Sequence, residues 1–200
     1  MIGRIFLKRS LEAPAPFIVG AGRSGTTLLR AMLNAHPDLS IPPETGFIPA
    51  LARLRGPKDR LRDLFIRAVT DFETVRIVDF PKEEFSRRIH AIKDFDIAAG
   101  VRAFYRMYAD QSHKKRWGDK TPSYGLQMRT IERLLPEAHF IHLIRDGRDV
   151  ALSTKGLWWA PGRDMAALAV HWRDTVQTIR KHGPRCRRYL EVRYEELVRD

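Results

Sequence analysis

The amino-acid sequence predicts an α/β fold, a three-layer P-loop-like arrangement with a central parallel sheet and a helical insertion. Short apolar runs typical of buried strands alternate with segments whose apolar residues recur at every third or fourth position. Strands that alternate with helices in this way form parallel sheets covered on both faces. The first apolar run is followed at once by a glycine-rich loop and then by a helical pattern, which is the order found in P-loop folds.

The first strand–loop–helix unit begins after an N-terminal leader that ends at Pro14 and Pro16. The apolar run at 17–19 predicts the strand, and residues 20–27, with the sequence GAGRSGTT, form the loop. A helix up to about residue 36 is indicated by apolar residues at helical spacing, namely Leu28, Leu29, Met32 and Leu33.

The stretch from about residue 46 to residue 111 is mostly helical in pattern and carries no motif of recognisable chemistry. Its helical segments, separated by Pro and Gly, lie at 47–55, 60–69, 83–92 and 97–108. We therefore expect a helical insertion that packs on the core.

The C-terminal part contains a second strand–loop–helix unit. A helical face made of Leu126, Ile131, Leu134 and Leu135 precedes a strand at 139–144. Residues 145–149 form the turn into the next helix, where we expect Asp146 and Asp149 to cap the helix start. A further helix ends at Gly183–Pro184 and presents Met165, Leu168, Trp172, Val176 and Ile179 on one face, and the last strand follows at 189–193.

The net charge of +12, from 36 Lys and Arg against 24 Asp and Glu, implies an anionic partner such as nucleic acid, anionic lipid or a small polyanionic ligand. The basic residues are spread along the whole chain and form only short clusters. We therefore expect most of them to be solvated and expect no nucleic-acid partner.

Cysteine content and hydropathy limit the cellular compartments in which we expect the chain. The single cysteine, Cys186, excludes a disulfide scaffold and a cysteine zinc site, and it fits a reducing compartment. No apolar run approaches the ~20 residues of a membrane span. The N-terminal stretch is interrupted by Arg4, Lys8 and Arg9 and offers no signal-peptide core. We expect a cytoplasmic chain, or a soluble fragment of a larger one, that forms a single domain over residues 1–200.

The glycine-rich loop keeps part of a nucleotide-binding motif and lacks another part. Gly20 and Gly25 have the spacing of a Walker A loop, and Thr27 stands in its Ser/Thr position, but Thr26 stands in the position of the lysine. The strand at 139–144 is followed by Arg145, where a Walker B strand would supply an acid for Mg²⁺. Both differences remove triphosphate–Mg²⁺ chemistry and retain the binding of oxyanions by loop amides and a helix N-terminus.

Two motifs in these settings resemble those of a known enzyme family. The loop reads Arg-Ser-Gly-Thr-Thr at 23–27, and Arg145 is followed eight residues later by Ser153 on the next helix. They resemble the motifs of the sulfotransferases that use 3′-phosphoadenosine 5′-phosphosulfate (PAPS) and release 3′-phosphoadenosine 5′-phosphate. The resemblance implies that Arg145 and Ser153 hold the donor's 3′-phosphate, and that the 5′-phosphosulfate is held by Arg23, Ser24, Gly25, Thr26 and Thr27.

Within that family the chain most resembles the tyrosylprotein sulfotransferase branch and its bacterial relatives. The helix after the loop ends in Ala-His-Pro and is followed by Glu-Thr, so that Glu44 matches the catalytic glutamate of the branch. Lys120 in the sequence GDKTP resembles the lysine that assists the leaving group, and Tyr194 in RYEEL resembles the tyrosine that contacts the nucleotide.

The resemblance runs from about residue 17 to residue 197, and 46–111 aligns only as a helical spacer. The family continues past the last strand with a segment that covers the nucleotide, and this sequence ends at Asp200 without it. We therefore expect either a truncated chain or a weakened donor site.

The implied reaction assigns a role to each of these side chains. Transfer of a sulfuryl group to a hydroxyl places the attacking and leaving oxygens in line, and the acceptor must lose its proton. We predict Glu44 as the general base, held on an extended backbone by Pro42–Pro43. Arg23 and Lys120 are predicted to stabilise the leaving phosphate oxygen. We expect no metal, and a hydroxyl acceptor such as tyrosine or a carbohydrate.

Two other classes of protein stay open from the sequence. One is a P-loop kinase or another nucleotide-binding enzyme, against which Thr26 and Arg145 count. The other is a non-catalytic basic binding protein, which would have no need of Glu44 and Lys120 beside the loop. Trp158 and Trp159 allow stacking on an adenine, lining of an acceptor pocket or packing in the core.

Overall fold

The computed structural model describes residues 13–57, 60–73, 80–162 and 164–199. Its centre is a parallel sheet of four strands, β1 (Ala15–Gly20), β4 (Asp119–Lys120), β5 (Ala138–Ile144) and β6 (Tyr189–Arg193), in the order β4–β1–β5–β6. A second parallel pair joins β2 (Leu39–Ser40) to β3 (Arg116–Trp117). The predicted central parallel sheet is confirmed.

Helices lie between the strands in the predicted order. In chain order they are α1 (Thr26–Asn34), α2 (Ile48–Leu51), α3 (Leu61–Thr70), α4 (Lys82–His90), α5 (Ile97–Gln111), α6 (Met128–Leu134), α7 (Gly147–Thr154), α8 (Met165–His182) and α9 (Tyr194–Leu197). Two 3₁₀ segments cover Pro122–Gln127 and Gly183–Arg185. Helices α2 to α5 make up the predicted helical insertion.

The side chains of β1 alternate between two cores, as the period of a strand requires. The larger core joins one face of the sheet to α6 and α8 through Phe17, Val19, Phe140, Ile131 and Ile179. The smaller core joins the opposite face to α1 through Ile18, Leu143 and Leu29. Because both faces of the sheet are buried under helices, the three-layer arrangement is confirmed.

The insertion packs on the larger core through aromatic side chains. Phe104 and Tyr105 of α5 are both buried there. The Tyr105 ring stacks on the indole of Trp117 in β3, with ring centroids 4.7 Å apart and an interplanar angle of 10°. This stack brings α5 against the segment that leads into β4.

Several local predictions are wrong for identifiable reasons. The helix predicted at 47–55 is reduced to the single turn α2, and Leu126 lies in a 3₁₀ segment with 48% of its surface exposed. A 3₁₀ segment repeats every three residues, so Leu126 falls outside the helical face expected for it. Trp158 is 95% exposed, so the core-packing alternative for it is excluded. The strand β4 was not predicted, because two residues give no periodic signal.

The order of the strands defines where a ligand can bind. Strand β1 lies between β4 and β5, and the chain passes from β1 to β4 on one side and then to β5 on the other. In open parallel sheets, ligands bind at the carboxyl ends of strands where the strand order reverses in this way. The loop after β1, Lys120 at the end of β4 and Arg145 after β5 all lie at this edge.

Candidate active site

The loop between β1 and α1 has the geometry of an anion cradle. Arg23 and Gly25 have positive φ angles of 66° and 90°, and α1 begins directly afterwards at Thr26. Alternation of backbone conformation in such a loop turns successive N–H groups inward, and the helix start adds its positive dipole end. Ser24 is fully buried, and its hydroxyl has no hydrogen-bond partner within the described part of the chain. A buried hydroxyl of this kind is available to a ligand.

Glycine is required at position 25 for two reasons, its positive φ angle and the close approach of the Tyr194 ring. A Cβ on this residue would overlap the ring of Tyr194, the first residue of α9. The ring therefore closes over the loop from the end of β6. The sequence prediction that Tyr194 belongs to the nucleotide site stays a prediction, but the structure does place it on the loop.

Two further predicted residues, Arg145 and Ser153, lie beside the loop, and we call Arg23, Arg145, Ser153 and Tyr194 together the basic cluster. The Arg23 Nε donates to Ser153 Oγ at 3.0 Å, and Arg145 Nη1 reaches the Arg23 carbonyl oxygen at 3.5 Å. The Arg145 guanidinium carbon lies 4.7 Å from the centre of the Tyr194 ring, a cation–π distance. Residues 130 positions apart in sequence are thus neighbours, because β1 and β5 are adjacent.

The turn that carries Arg145 is fixed by the start of α7. The Asp146 carboxylate accepts the Arg148 backbone N–H at 2.8 Å, which confirms Asp146 as the cap. Hydrogen bonds from the side chain and backbone of Arg148 lower the pKa of Asp146 to about 2. Asp149 does not cap the helix as expected: its carboxylate lies 3.3 Å from Arg145 Nη2, one helical turn away. Asp149 nevertheless lies in the first turn of α7, where a carboxylate interacts favourably with the helix dipole.

Glu44 and Lys120 form an ion pair at the same edge of the sheet. Lys120 Nζ donates to Glu44 Oε1 at 2.8 Å, and the lysine side chain is 7% exposed while the glutamate is 50% exposed. Lys120 lies opposite Ile18 of β1, two residues before that strand ends at Gly20. The two residues that the sequence placed 76 positions apart are therefore in contact beside the anion cradle.

The segment that carries Glu44 is held by side chains from α1. Arg30 donates to the Ile41 carbonyl oxygen at 3.0 Å, and Asn34 Oδ1 accepts the Ile41 backbone N–H at 2.9 Å. These bonds anchor the chain three residues before Glu44. Neither Arg30 nor Asn34 was singled out from the sequence, since polar residues on a helix are ordinarily solvated.

A set of polar side chains that sequence reasoning missed lies beneath the Glu44–Lys120 pair. Thr45, Asp119 and Thr121, the direct neighbours of the pair, are all buried and hydrogen-bonded to one another. Burial raises the pKa of Asp119 to about 6, although hydrogen bonds from Tyr105 and Thr45 favour its charged form. The available signal was the motif GDKTP itself, whose Asp and Thr flank the lysine.

Two histidines, His36 and His142, occupy structural positions. His36 Nδ1 accepts the Asp38 backbone N–H at 3.0 Å in the turn after α1. His142 is fully buried, and desolvation lowers its pKa to about 4. Over the residues that the structure describes, no three His, Cys, Asp or Glu side chains are grouped to hold a metal ion. Within the same residues, no helix combines the length and apolar character needed to cross a bilayer.

Comparison with known proteins places this geometry in a family. Residues 14–200 match the sulfotransferase family. The chain is 30% identical over 203 residues to the nodulation protein NoeE of Sinorhizobium fredii, covering 91% of this chain and 46% of that protein. It is 32% identical over 142 residues to human protein-tyrosine sulfotransferase 1, covering 68% of this chain and 32% of that enzyme. The chain thus spans less than half the length of these curated relatives.

A solved structure gives the same result. The sulfotransferase domain of the Synechococcus PCC 7002 olefin synthase superposes with a TM-score of 0.59 at 30% identity, covering 96% of this chain and 71% of that one. The fold, the anion cradle and the sequence matches agree, and the chain belongs to the sulfotransferase family.

Proposed function

We propose that this chain transfers a sulfuryl group from PAPS to a hydroxyl acceptor, with Glu44 as general base. The main support for the proposal is that two groups of functional side chains lie at the same edge of the sheet. The basic cluster with its anion cradle lies after β1 and β5, and the Glu44–Lys120 pair lies at the end of the adjacent β4. One group is suited to hold an anionic donor, and the other to handle a proton.

The residues of the cradle and the basic cluster fit a donor with two separate anionic centres. The buried Ser24 hydroxyl and the loop amides suit the 5′-phosphosulfate. Arg145 suits the 3′-phosphate, because its Nε is buried without a partner among the described residues and its planar fork can donate two bonds to one phosphate. Ser153 adds a hydroxyl beside it, currently bonded to Arg23.

PAPS would supply a sulfuryl group already joined to a phosphate leaving group. Glu44 would accept the proton of the acceptor hydroxyl while the hydroxyl oxygen bonds to sulfur. The bond between sulfur and the bridging phosphate oxygen would break at the same time, and that oxygen would leave with the phosphate. Lys120 would place positive charge near the developing phosphate oxygen, since an ammonium has three N–H donors and only one is used on Glu44 Oε1. Arg23 lies in the loop that would hold the same phosphate.

The acceptor is proposed as a class. One curated relative is named for protein tyrosine, and tyrosine and carbohydrate hydroxyls both provide an oxygen that needs a base. A carboxylate that is half exposed, as Glu44 is, can be reached by an acceptor from solvent.

The test is transfer of labelled sulfuryl from PAPS to a panel of tyrosine peptides, oligosaccharides and simple phenols. We expect labelled product with wild type, and a fall in turnover of at least ~10² with Glu44→Gln, because a positioned base contributes on that scale. The control is Glu83→Gln, which changes an exposed glutamate on α4 in the same way.

Affinity for 3′-phosphoadenosine 5′-phosphate should be the same in wild type and both variants, because its contacts lie in the cradle and the basic cluster. Full turnover by Glu44→Gln would remove Glu44 as the base. No transfer to any acceptor, together with no binding of the nucleotide, would overturn the sulfotransferase proposal itself.

A further inference from the structure

Beneath the Glu44–Lys120 pair lies a buried group that we call the hydroxyl network, made of Thr45, Tyr105, Tyr124 and Asp119. Thr45 Oγ1 and the Tyr105 hydroxyl both donate to Asp119 Oδ2, each at 2.8 Å. The Tyr124 hydroxyl lies 2.9 Å from Thr45 Oγ1 and accepts the Ile48 backbone N–H at 3.0 Å. All four side chains are at most 2% exposed.

The hydroxyl protons of this network are arranged around the Asp119 carboxylate. Each hydroxyl has a single proton to donate. When Tyr105 and Thr45 donate to Asp119, the Tyr124 hydroxyl, which accepts from the Ile48 backbone, is free to donate to Thr45 Oγ1 at 2.9 Å. Thr45 Oγ1 also lies 3.1 Å from the Tyr105 hydroxyl. The two assigned hydroxyl donors thus converge on Asp119 Oδ2. An ionised carboxylate, which only accepts, is the group that completes such a chain.

The network is covalently joined to both members of the ion pair. Thr45 directly follows Glu44, and Asp119 directly precedes Lys120. A further bond ties the same two segments, since the Thr45 backbone N–H donates to Thr121 Oγ1 at 3.0 Å. Two hydrogen bonds thus clamp the loop of Glu44 to the strand of Lys120, and Tyr105 fixes the carboxylate from the insertion.

We propose that Asp119 is a positioning residue which, through the hydroxyl of Thr45, holds the Glu44 carboxylate against the Lys120 ammonium. This inference rests on the proposed function, in which Glu44 is the base. Asp119 itself is fully buried and does not face the acceptor. Its role is to fix where the base points, because small displacements of a catalytic group cost much of its effect.

The decisive variant is Thr45→Val, which keeps the shape of the side chain and removes only its hydroxyl. We expect kcat to fall by at least ~10-fold while KM for PAPS and affinity for 3′-phosphoadenosine 5′-phosphate change less than twofold, since the donor contacts are elsewhere. Thr45→Ser, which retains the hydroxyl, should recover most of the loss. The matched control is Thr154→Val, because the Thr154 hydroxyl is also buried but donates to the Val150 carbonyl oxygen within its own helix.

A second readout does not depend on turnover. In protein labelled with ¹³C at lysine, the Lys120 side-chain resonance, assigned with Lys120→Arg, should shift in Thr45→Val and stay in place in Thr45→Ser and Thr154→Val. If Thr45→Val does not fold, Tyr105→Phe removes one donor to Asp119 and keeps the ring that stacks on Trp117.

An unmoved Lys120 resonance, or an unchanged kcat in folded Thr45→Val, would overturn the positioning role. If the Lys120 resonance shifts in Thr45→Val but the wild-type protein transfers no sulfuryl group, the proposed function is overturned and the positioning role is not.

Discussion

Arg145 has several contacts, none of which is short. Its guanidinium lies 3.5 Å from the Arg23 carbonyl oxygen and 3.3 Å from the Asp149 carboxylate, both beyond the usual length of a strong charge-assisted bond. Its Nε is buried with no partner in the described ranges, and its side chain is 26% exposed. The Tyr194 ring thus holds the Arg145 guanidinium in place, while its N–H donors make only long hydrogen bonds or none. Such a guanidinium can bind an anion.

We therefore predict that Arg145→Ala weakens binding of 3′-phosphoadenosine 5′-phosphate by about 2–4 kcal/mol, the scale for losing one partner of a buried charge-assisted pair. Adenosine 5′-phosphosulfate, which has no 3′-phosphate, should bind wild type and variant alike. Calorimetry with both ligands measures the difference. The control is Arg148→Ala on the same turn, whose side chain is 89% exposed and pairs with Asp146. An equal loss for both ligands would mean that Arg145 supports the fold and does not bind the 3′-phosphate.

Asp119 also makes a prediction about stability. Its pKa in the folded chain is raised from 3.8 to about 6 by burial, so the folded state binds more protons than the unfolded state between those values. The contribution of Asp119 to folding therefore becomes less favourable as the pH rises from 4 to 7, by up to about 3 kcal/mol. Asp119→Asn removes this dependence.

The measurement is denaturant unfolding of both proteins at several pH values between 4 and 7. We expect the stability of Asp119→Asn relative to wild type to increase steadily over that range, although the variant should lose turnover if Asp119 positions Glu44. A relative stability that stays constant with pH would show that Asp119 has an ordinary pKa. A relative stability that rises with pH would show that the buried charge costs the fold free energy and is retained for the site.

At the scale of elements, the contact between the cradle and α9 depends on Gly25. An alanine there would suffer both a positive φ of 90° and overlap of its Cβ with the Tyr194 ring. We predict that Gly25→Ala destabilises the fold by about 2–4 kcal/mol, combining backbone strain and overpacking, and displaces Tyr194 from the cradle.

The chain offers a control that separates these two costs. Gly156 has a similar φ of 85°, and a Cβ on it would meet nothing within 4 Å. Gly156→Ala should therefore cost only the strain of the left-handed conformation, about 1 kcal/mol. Thermal or denaturant unfolding of both variants gives the difference, and 3′-phosphoadenosine 5′-phosphate affinity should fall only in Gly25→Ala. Equal costs for the two variants would show that Tyr194 moves aside freely.

The elements that sequence could predict are those with a periodic or compositional signal. Apolar spacing and glycine position predict the strand before the loop, the loop itself and the helices α1 and α8. Strand β4 could not be found that way, since it has two residues and gains its place only by pairing with β1. Lys120 was found through a resemblance, and its burial beside Glu44 follows from that unpredicted strand.

The hydroxyl network could not be predicted either, because its residues come together only in the folded chain. Tyr105 lies in the insertion, where the sequence showed only a helix, and it meets Asp119 because the ring stacks on Trp117. Long-range meetings of this kind depend on packing and leave no local pattern. Motifs in the sequence predict the individual site residues, but no local pattern predicts the buried hydroxyl network that holds Glu44 and Lys120 in place.

At the scale of the whole molecule, the fold keeps the anion cradle of a P-loop while replacing the residues that handle a triphosphate and its metal. Thr26 stands where a Walker lysine would be, and its short, neutral side chain cannot extend to distant phosphates as a lysine does. Arg145 follows β5 where an acid would hold Mg²⁺. The net charge of +12 favours the approach of any polyanion, so charge alone does not select the donor. We therefore expect the positions of the cradle and of Arg145 to select the donor.

We therefore predict that 3′-phosphoadenosine 5′-phosphate binds with the same affinity in the presence and absence of EDTA, and at least ~10²-fold more tightly than ATP with Mg²⁺. A preference of that size corresponds to about 2.7 kcal/mol, within the range expected for a single buried charge-assisted phosphate contact. Calorimetry at fixed ionic strength is the measurement, because a protein of charge +12 attracts all of these nucleotides more strongly at low salt. In Arg145→Ala the preference should shrink toward unity while the insensitivity to EDTA remains. Binding of ATP that needs Mg²⁺ and equals that of the 3′-phosphorylated nucleotide would place the chain among phosphoryl-transferring enzymes in its chemistry.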